Sequence, residues 1–364
     1  MGKTKIEWTD DSWNPIRAEN LETGGVGHFC ARVSDGCRNC YAERLQPRLQ
    51  NPVRYAAQDA GKVRMFLDRD RLVTPLRQSR PRYIFVCSMT DLFYEGHPDE
   101  WIDEMFAVMA LAPQHTFLVL TKRIARARAY LDQTPPRQRC TYEEVYNAMG
   151  SVGKEALGDR HPYRKAFPLG MPWPLPNVYL GVSAEDQKTA EARIPDLLMA
   201  RAARRFLSAE PLLGGIDLVW LHFIGGGGTH LDVVNGRHGE PDTWQAPAKR
   251  LDWVIAGGES GPKARPMHPD WVRKLRDQCQ AAGVAFHFKQ WGEWAPADGR
   301  DQDDLQECRY GEFHAGTDWI DSCLCPFGDR GGDMYRVGKK AAGRMLDGEI
   351  WDQRLPMARD RETV

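Results

Sequence analysis

The chain has 364 residues, 42% of them hydrophobic, and a formal net charge of −1. That is apolar material for one large core or two, without the excess charge that marks a generic polyanion binder. No apolar run of about 18 residues and no leader-like segment occurs, so the sequence predicts a soluble, cytoplasmic protein with no membrane partner. Nine cysteines, odd in number and clustered, fit a reducing compartment better than a disulfide scaffold.

In chain order, residues 5–9 alternate weakly and read as a first strand. They lead to a loop made pliable by Gly24, Gly25, Gly27 and Gly36, which carries Cys30, Cys37 and Cys40. A lone Cys-x-x-Cys is a redox pair or half a zinc site, but a third thiol upstream gives three soft ligands able to converge on one centre. Two readings follow from the residues. One is a closed Cys3His zinc site with His28 as fourth ligand; the other is an iron–sulfur cube on three thiolates, with one iron left open.

A helix is expected near 41–50, then an irregular stretch to Arg82 broken by Pro52, Gly61, Pro75 and Pro81. Basic residues are frequent here, ten against four acidic ones between Tyr41 and Arg82. Lys122, Arg123, Arg126, Arg128, Arg137 and Arg139 form a second basic group, whereas acids collect at Asp298, Asp301, Asp303, Asp304 and Glu307. Such asymmetry permits a local phosphate-binding face on a neutral protein.

The rhythm then becomes regular. Short apolar runs at 83–87, 116–120, 178–182, 205–208, 253–256 and 285–288 suit strands buried on both faces. Between them, Pro98 opens a helix with Trp101, Met105, Phe106, Met109 and Ala110 on one face. Further helices are expected near 124–131, near 187–202 with a restart at Pro195, and from Pro269 to a stop at Gly283, where Cys279 lies on the core stripe. Alternation of this kind implies an α/β fold, a partial or complete TIM-like barrel of about six to seven parallel strands. It would span residues 1–292 with insertions near 132–177 and 214–250, and residues 293–364 would cap the mouth. In the tail, Lys339, Lys340 and Arg344 suggest a short basic helix over that mouth. Cys308, Cys323 and Cys325, near His314, are more simply free or buried thiols than a second metal site.

Chemistry in such barrels sits at the carboxyl ends of the strands, and here those ends are polar. They offer Ser88 and Asp91; Thr121, Lys122 and Arg123; Ser183, Glu185 and Asp186; Ser208 and Glu210; Gly257, Gly258, Glu259 and Ser260; Lys289 and Gln290. Any one could be a helix cap; six in succession at one end point to a site.

The run Lys5-Ile6-Glu7-Trp8-Thr9, then Trp13-Asn14-Pro15, the cysteine triplet and Tyr41-Ala42-Glu43, resembles the phage and bacterial three-Cys-motif family of radical S-adenosylmethionine (SAM)-like proteins. So do Gly181-Val182-Ser183-Ala184-Glu185-Asp186, Phe206-Leu207-Ser208-Ala209-Glu210-Pro211-Leu212, Gly257-Gly258-Glu259-Ser260-Gly261, Phe288-Lys289-Gln290-Trp291-Gly292 and Val337-Gly338-Lys339-Lys340. The Cys-x6-Cys-x2-Cys spacing differs from the Cys-x3-Cys-x2-Cys of the best-known radical SAM enzymes. The resemblance implies a radical SAM-like fold and a 4Fe-4S cluster on Cys30, Cys37 and Cys40. Its open iron would chelate S-adenosyl-L-methionine, and an electron from a flavodoxin or ferredoxin would cleave it to a 5′-deoxyadenosyl radical. Under this reading Asp91 meets the methionyl ammonium, Ser183, Glu185, Glu210 and Glu259 contact the cofactor, and Gly257 and Gly258 let backbone approach it. Lys122, Arg123, Lys289 and Gln290 meet a second substrate. Because relatives occur in phages, that substrate is expected to be a nucleobase or nucleotide-linked group, in a DNA modification, rearrangement or lyase-type reaction in the host cytoplasm. The alternative from a different class is a zinc-stabilised nucleic-acid-binding module without SAM chemistry.

Overall fold

The computed structural model describes residues 2–4, 6–132, 141–158, 171–223, 229–240, 245, 249–297, 309–314, 318–322 and 333–358. Seven strands form one parallel sheet: β1 Asp11–Trp13, β2 Tyr83–Val86, β3 Thr116–Thr121, β4 Val178–Ser183, β5 Arg204–Ala209, β6 Trp253–Gly257 and β7 Ala285–Gln290. They pair in chain order, every neighbour parallel, and the sheet curls into a half-barrel. The antiparallel strand Gly2–Lys3 sits on the β1 edge. On the convex side lie α1 Asp99–Leu111, α2 Ile124–Asp132, α3 Thr141–Leu157, α4 Gln187–Met199 and α5 Pro269–Ala282. Among the described residues no helix is long and apolar enough to cross a membrane.

The strand period of two explains why the runs look continuously apolar. One set of side chains packs outward against the helices, and the alternate set packs inward. The inward set, Phe85, Leu118, Tyr179, Phe206, Trp253 and Ile255, forms its own cluster around Trp8, whose ring lies 4.7 Å from that of Phe85. Gly181 is required in this layer, because a Cβ there would stand 2.5 Å from the Phe206 ring. Above these residues the inward positions turn polar, and a cavity opens.

The C-terminal strap closes the fold below. Trp351 and Gln353 cover the free edge of β7: Phe288 N donates to Trp351 O at 2.7 Å, and Phe286 N donates to Gln353 Oε1 at 2.8 Å. The chain then crosses the amino ends of the strands. There Trp253 Nε1 donates to Gln353 O at 2.9 Å, Tyr83 Oη to Leu355 O at 2.5 Å and Tyr179 Oη to Pro356 O at 2.7 Å. A covered edge leaves no template for strand addition. Residues 351–358 therefore lie at the end opposite the mouth; among the described residues of 293–364, Glu293 and Lys339 line the cavity.

Several elements differ from expectation. The first strand of the barrel is β1; Ile6 to Thr9 instead turn, with Thr9 N donating to Ile6 O at 3.3 Å, and plug Trp8 into the interior. The helix after the cysteines ends at Leu45, and Pro47 converts the rest into a 3-10 turn, Gln46–Leu49. The Arg-rich stretch contains a strand, Val63–Leu67, paired with Ile16–Asn20. The 132–177 insertion holds α3, and the 214–250 insertion holds a small antiparallel sheet, Leu221–Phe223, Thr229–Asp232 and Arg237–Gly239. Helix α4 runs through Pro195 without a restart and stops at Met199. Helix α5 begins at Pro269 and ends at Gly283, whose φ of 63° needs a residue tolerant of the left-handed region. Cys279 is buried in its core stripe. The tail helix, Lys339–Ala342, is a single turn that ends before Arg344. Cys308, Cys323, Cys325, Arg137, Arg139, the side chain of His314 and the acidic group from Asp298 to Glu307 lie outside the described residues.

Candidate functional site

A cavity of about 880 Å³ opens at the carboxyl ends of the parallel strands, within the usual range for small-molecule sites. Every strand supplies part of its wall: Asn14 after β1, Cys87 to Asp91 after β2, Thr121 to Arg123 from β3, Ser183, Ser208 and Glu210, Gly258 to Gly261, and Lys289 with Gln290. The cysteine loop forms the facing wall, and Cys30, Cys37 and Cys40 all line the space. Of the expected site residues, Asp91, Lys122, Arg123, Ser183, Glu210, Gly258, Glu259, Lys289 and Gln290 line it; Glu185 and Gly257 stand behind the wall.

The carboxylates at the strand ends are tied to the cysteine loop. Glu185, buried at 1% exposure, accepts from Ser34 Oγ at 2.8 Å and Arg193 Nη1 at 3.1 Å, and pairs with Lys122. Burial would raise its pKa, but Lys122 and Arg193 outweigh that and hold it below the ordinary carboxylate range. Gly36 faces this carboxylate so closely that a Cβ would overlap it. Glu259 accepts from Asn39 Nδ2 at 2.9 Å and from Arg265 N at 2.8 Å, Nε at 3.0 Å and Nη2 at 2.7 Å. Arg265 continues to Asp35, so the second half of the loop is tied as well. Asp91 accepts from Thr121 Oγ1 at 2.8 Å, Phe93 N at 3.0 Å, Lys122 N at 3.0 Å and Arg123 Nη1 at 3.3 Å. Arg123, itself buried, donates to Ala31 O at 2.8 Å and reaches Cys30 Sγ at 3.8 Å. Glu185, Glu259 and Asp91 thus stake the cysteine loop to the barrel rim.

The thiols sit in unlike fields. Burial pushes Cys30 up to about 12, with Asp91 adding and Arg123 opposing. Burial acts on Cys37 too, but Lys122 and the Val33 and Ser34 backbone hold this thiol below its ordinary value. Burial raises Cys40 against the Glu43 and Ala42 backbone groups at the start of the helix. His28 is not brought to the thiols: its Nδ1 donates to Ile16 O at 3.0 Å, and burial lowers its pKa to about 4. Among the described residues no group of three or more His, Cys, Asp or Glu side chains stands close enough to hold a single metal ion.

The remaining polar wall is freer. Lys289 Nζ lies 3.1 Å from Glu210 Oε1, and Ser208 Oγ donates to Glu210 Oε2 at 3.2 Å. Gln290 Nε2 donates to Ser260 Oγ at 2.8 Å, while its Oε1 and the Trp8 Nε1 are buried in the cavity wall with no protein partner among the described residues. Such orphaned groups are costly unless a ligand or water meets them. The two glycines serve packing: a Cβ on Gly257 would come 2.7 Å from Glu210 Oε1, and one on Gly258 would overlap the Trp291 carbonyl. Asp186 is a helix cap, accepting from Thr189 N at 2.8 Å. Residue reading missed Ser34, Asn39, Arg193 and Arg265; the one available signal was Asn39, between two cysteines.

Residues 3–356 match the family model described as protein of unknown function DUF5131, and the chain belongs to that family. No curated protein and no solved structure matches it.

Proposed function

We propose that this member of the DUF5131 family is a radical SAM enzyme, with Cys30, Cys37 and Cys40 holding a 4Fe-4S cluster at the mouth of the half-barrel. The observation that carries the reading is that all three thiols line the same large cavity as the polar strand ends. The donor set fits the group. Three thiolates serve three irons of a cube, which spreads its ligands, whereas four ligands about 2.3 Å from one zinc must crowd together. His28 is engaged elsewhere, so the triplet leaves a coordination position for a cosubstrate. When bound, the cluster supplies the electron that cleaves the SAM sulfonium to a 5′-deoxyadenosyl radical.

The protein's own residues then have separable tasks. Glu185, Glu259 and Asp91 position the loop through Ser34, Asn39 and Arg123. Lys122 and Arg123 stand beside Cys37 and Cys30 and favour their thiolate forms. Ser183, Ser208, Glu210, Lys289 and Gln290 line the space facing the thiols, where hydroxyl and amino groups of a nucleoside find donors and acceptors. Gln290 Oε1 and Trp8 Nε1 supply an acceptor and a donor still unmet. The aromatic floor and strap keep solvent from below, as a reactive intermediate requires. The second substrate is a nucleobase or nucleotide-linked group.

The test is anaerobic reconstitution with iron and sulfide, followed by dithionite and SAM and chromatography for 5′-deoxyadenosine. Release of 5′-deoxyadenosine that depends on all three cysteines supports the reading. A colourless protein that retains one zinc and leaves SAM intact replaces it with the zinc-stabilised binding module.

A further inference from the structure

The described members of the second basic group are already neutralised. Lys122 pairs with Glu185, Arg123 with Asp91 and Glu95, Arg126 with Asp99, and Arg128 with Asp132 and Asp196. A different set of cations gathers at the cavity lip around Gly261. Arg44 lies directly on the bare Cα of Gly261, whose φ of 112° and missing Cβ make that approach possible. Arg336 Nη2 donates to Pro262 O at 2.7 Å and Gly261 O at 3.4 Å, and so fixes the same turn. Lys263 is exposed two residues on, and Lys339, also exposed, lines the cavity together with Arg44 and Gly261. No ion pair to Arg44, Lys263, Arg336 or Lys339 occurs among the described residues. The Glu293 carboxylate accepts from Gly261 N at 2.8 Å.

From this we infer that the lip around Gly261 binds the phosphate of the second substrate, so that a phosphate-bearing nucleotide, free or within a strand, enters beside Arg44 and presents its base or sugar to the cavity. The inference rests on the proposed function for what happens next, but not for binding. Cations at the entrance of a polar cavity that form no ion pair among the described residues have charge to offer, and a phosphate supplies its complement. Arg44 is the anchor: it sits four residues beyond Cys40, and packing against Gly261 reduces the rotamer freedom its guanidinium would lose on binding.

Binding is measured on the full chain in two arms. One is calorimetry with a deoxynucleoside 5′-monophosphate, the other fluorescence anisotropy with a short labelled single-stranded oligodeoxynucleotide across a salt series. Arg44→Gln, Lys263→Gln and Lys339→Gln are compared with Lys188→Gln, an exposed cation on α4 that does not line the cavity. Expected is binding in at least one arm that weakens several-fold in each lip variant and not in the control. With the oligonucleotide, the salt slope should become shallower by about 0.7 for each phosphate that a variant no longer neutralises. Mononucleotide binding assigns the phosphate to a free nucleotide, and binding of the strand alone assigns it to nucleic acid. Failure of both ligands to bind, or equal binding by wild type and all three lip variants, overturns the inference. SAM cleavage is assayed in parallel: its loss with phosphate binding intact removes the radical reading and leaves this one standing.

Discussion

The Ser34 hydroxyl donates to the Glu185 carboxylate at 2.8 Å, joining the cysteine loop to the end of β4 across 151 residues of chain. Through that bond a flexible, glycine-bearing loop becomes one wall of a defined cavity. Lys122 and Arg193 meet the same carboxylate, so loop, strand end and helix α4 share one buried ion cluster.

Removing the centre of that cluster leaves two cations unpaired. Glu185→Ala should destabilise the fold by about 3–5 kcal/mol, as expected when one partner of a buried pair is lost, and lower the iron retained after reconstitution. Thermal melts and iron analysis of the same preparation check both; an unchanged melt with full iron content would mean the loop is held by other means.

Gly36→Ala tests the close approach itself. A methyl group there meets a carboxylate that cannot retreat, being held by Lys122 and Arg193. Overpacking of this kind costs about 1–3 kcal/mol. Circular dichroism should show the barrel intact while bound iron falls.

The Glu259 carboxyl is held below its ordinary range: burial pushes it up, but the Arg265 hydrogen bonds and the Asn39 amide outweigh that. A carboxyl with a depressed folded pKa stabilises the fold above its unfolded pKa and loses that contribution as pH falls through the folded value. The protein should therefore lose stability on acidification below about pH 4.5, and Glu259→Gln should be less stable at neutral pH with a shallower acid decline. Melting temperatures across pH 3 to 7 decide it; parallel curves for the two proteins would sink the assignment.

Inside the barrel, Gly181→Ala drives a methyl into the Phe206 ring and should cost about 1–3 kcal/mol. Adding Phe206→Leu should restore part of that loss, so that the double variant is less damaged than the two single effects predict. Denaturant melts of the four proteins measure the coupling, and strict additivity would contradict the packing described.

The six longer strands and the start and stop of α5 were legible because their signals are local: continuous apolar runs, Pro269 and Gly283. So were the polar strand ends that line the cavity, since a parallel barrel places every strand end on one face. The roles of Glu185 and Glu259 were not, because each is decided by partners far away in sequence, Ser34 and Asn39, which no spacing reveals. Trp8 escaped for a similar reason. Its surroundings read as a weak strand, whereas its burial among Phe85, Phe206 and Trp253 pulls the segment into a turn. His28 was an apt ligand by position, yet the carbonyl of Ile16 engages its ring.

The most direct test of the central claim is the electron-paramagnetic-resonance spectrum of the anaerobically reconstituted, dithionite-reduced protein, recorded with and without SAM. The account predicts a reduced 4Fe-4S signal that changes on SAM addition, persists in His28→Ala, and is absent or reduced to a sub-stoichiometric trace in Cys30→Ala, Cys37→Ala and Cys40→Ala. A protein without a cluster signal, or one whose signal is indifferent both to SAM and to loss of any of the three cysteines, would contradict it.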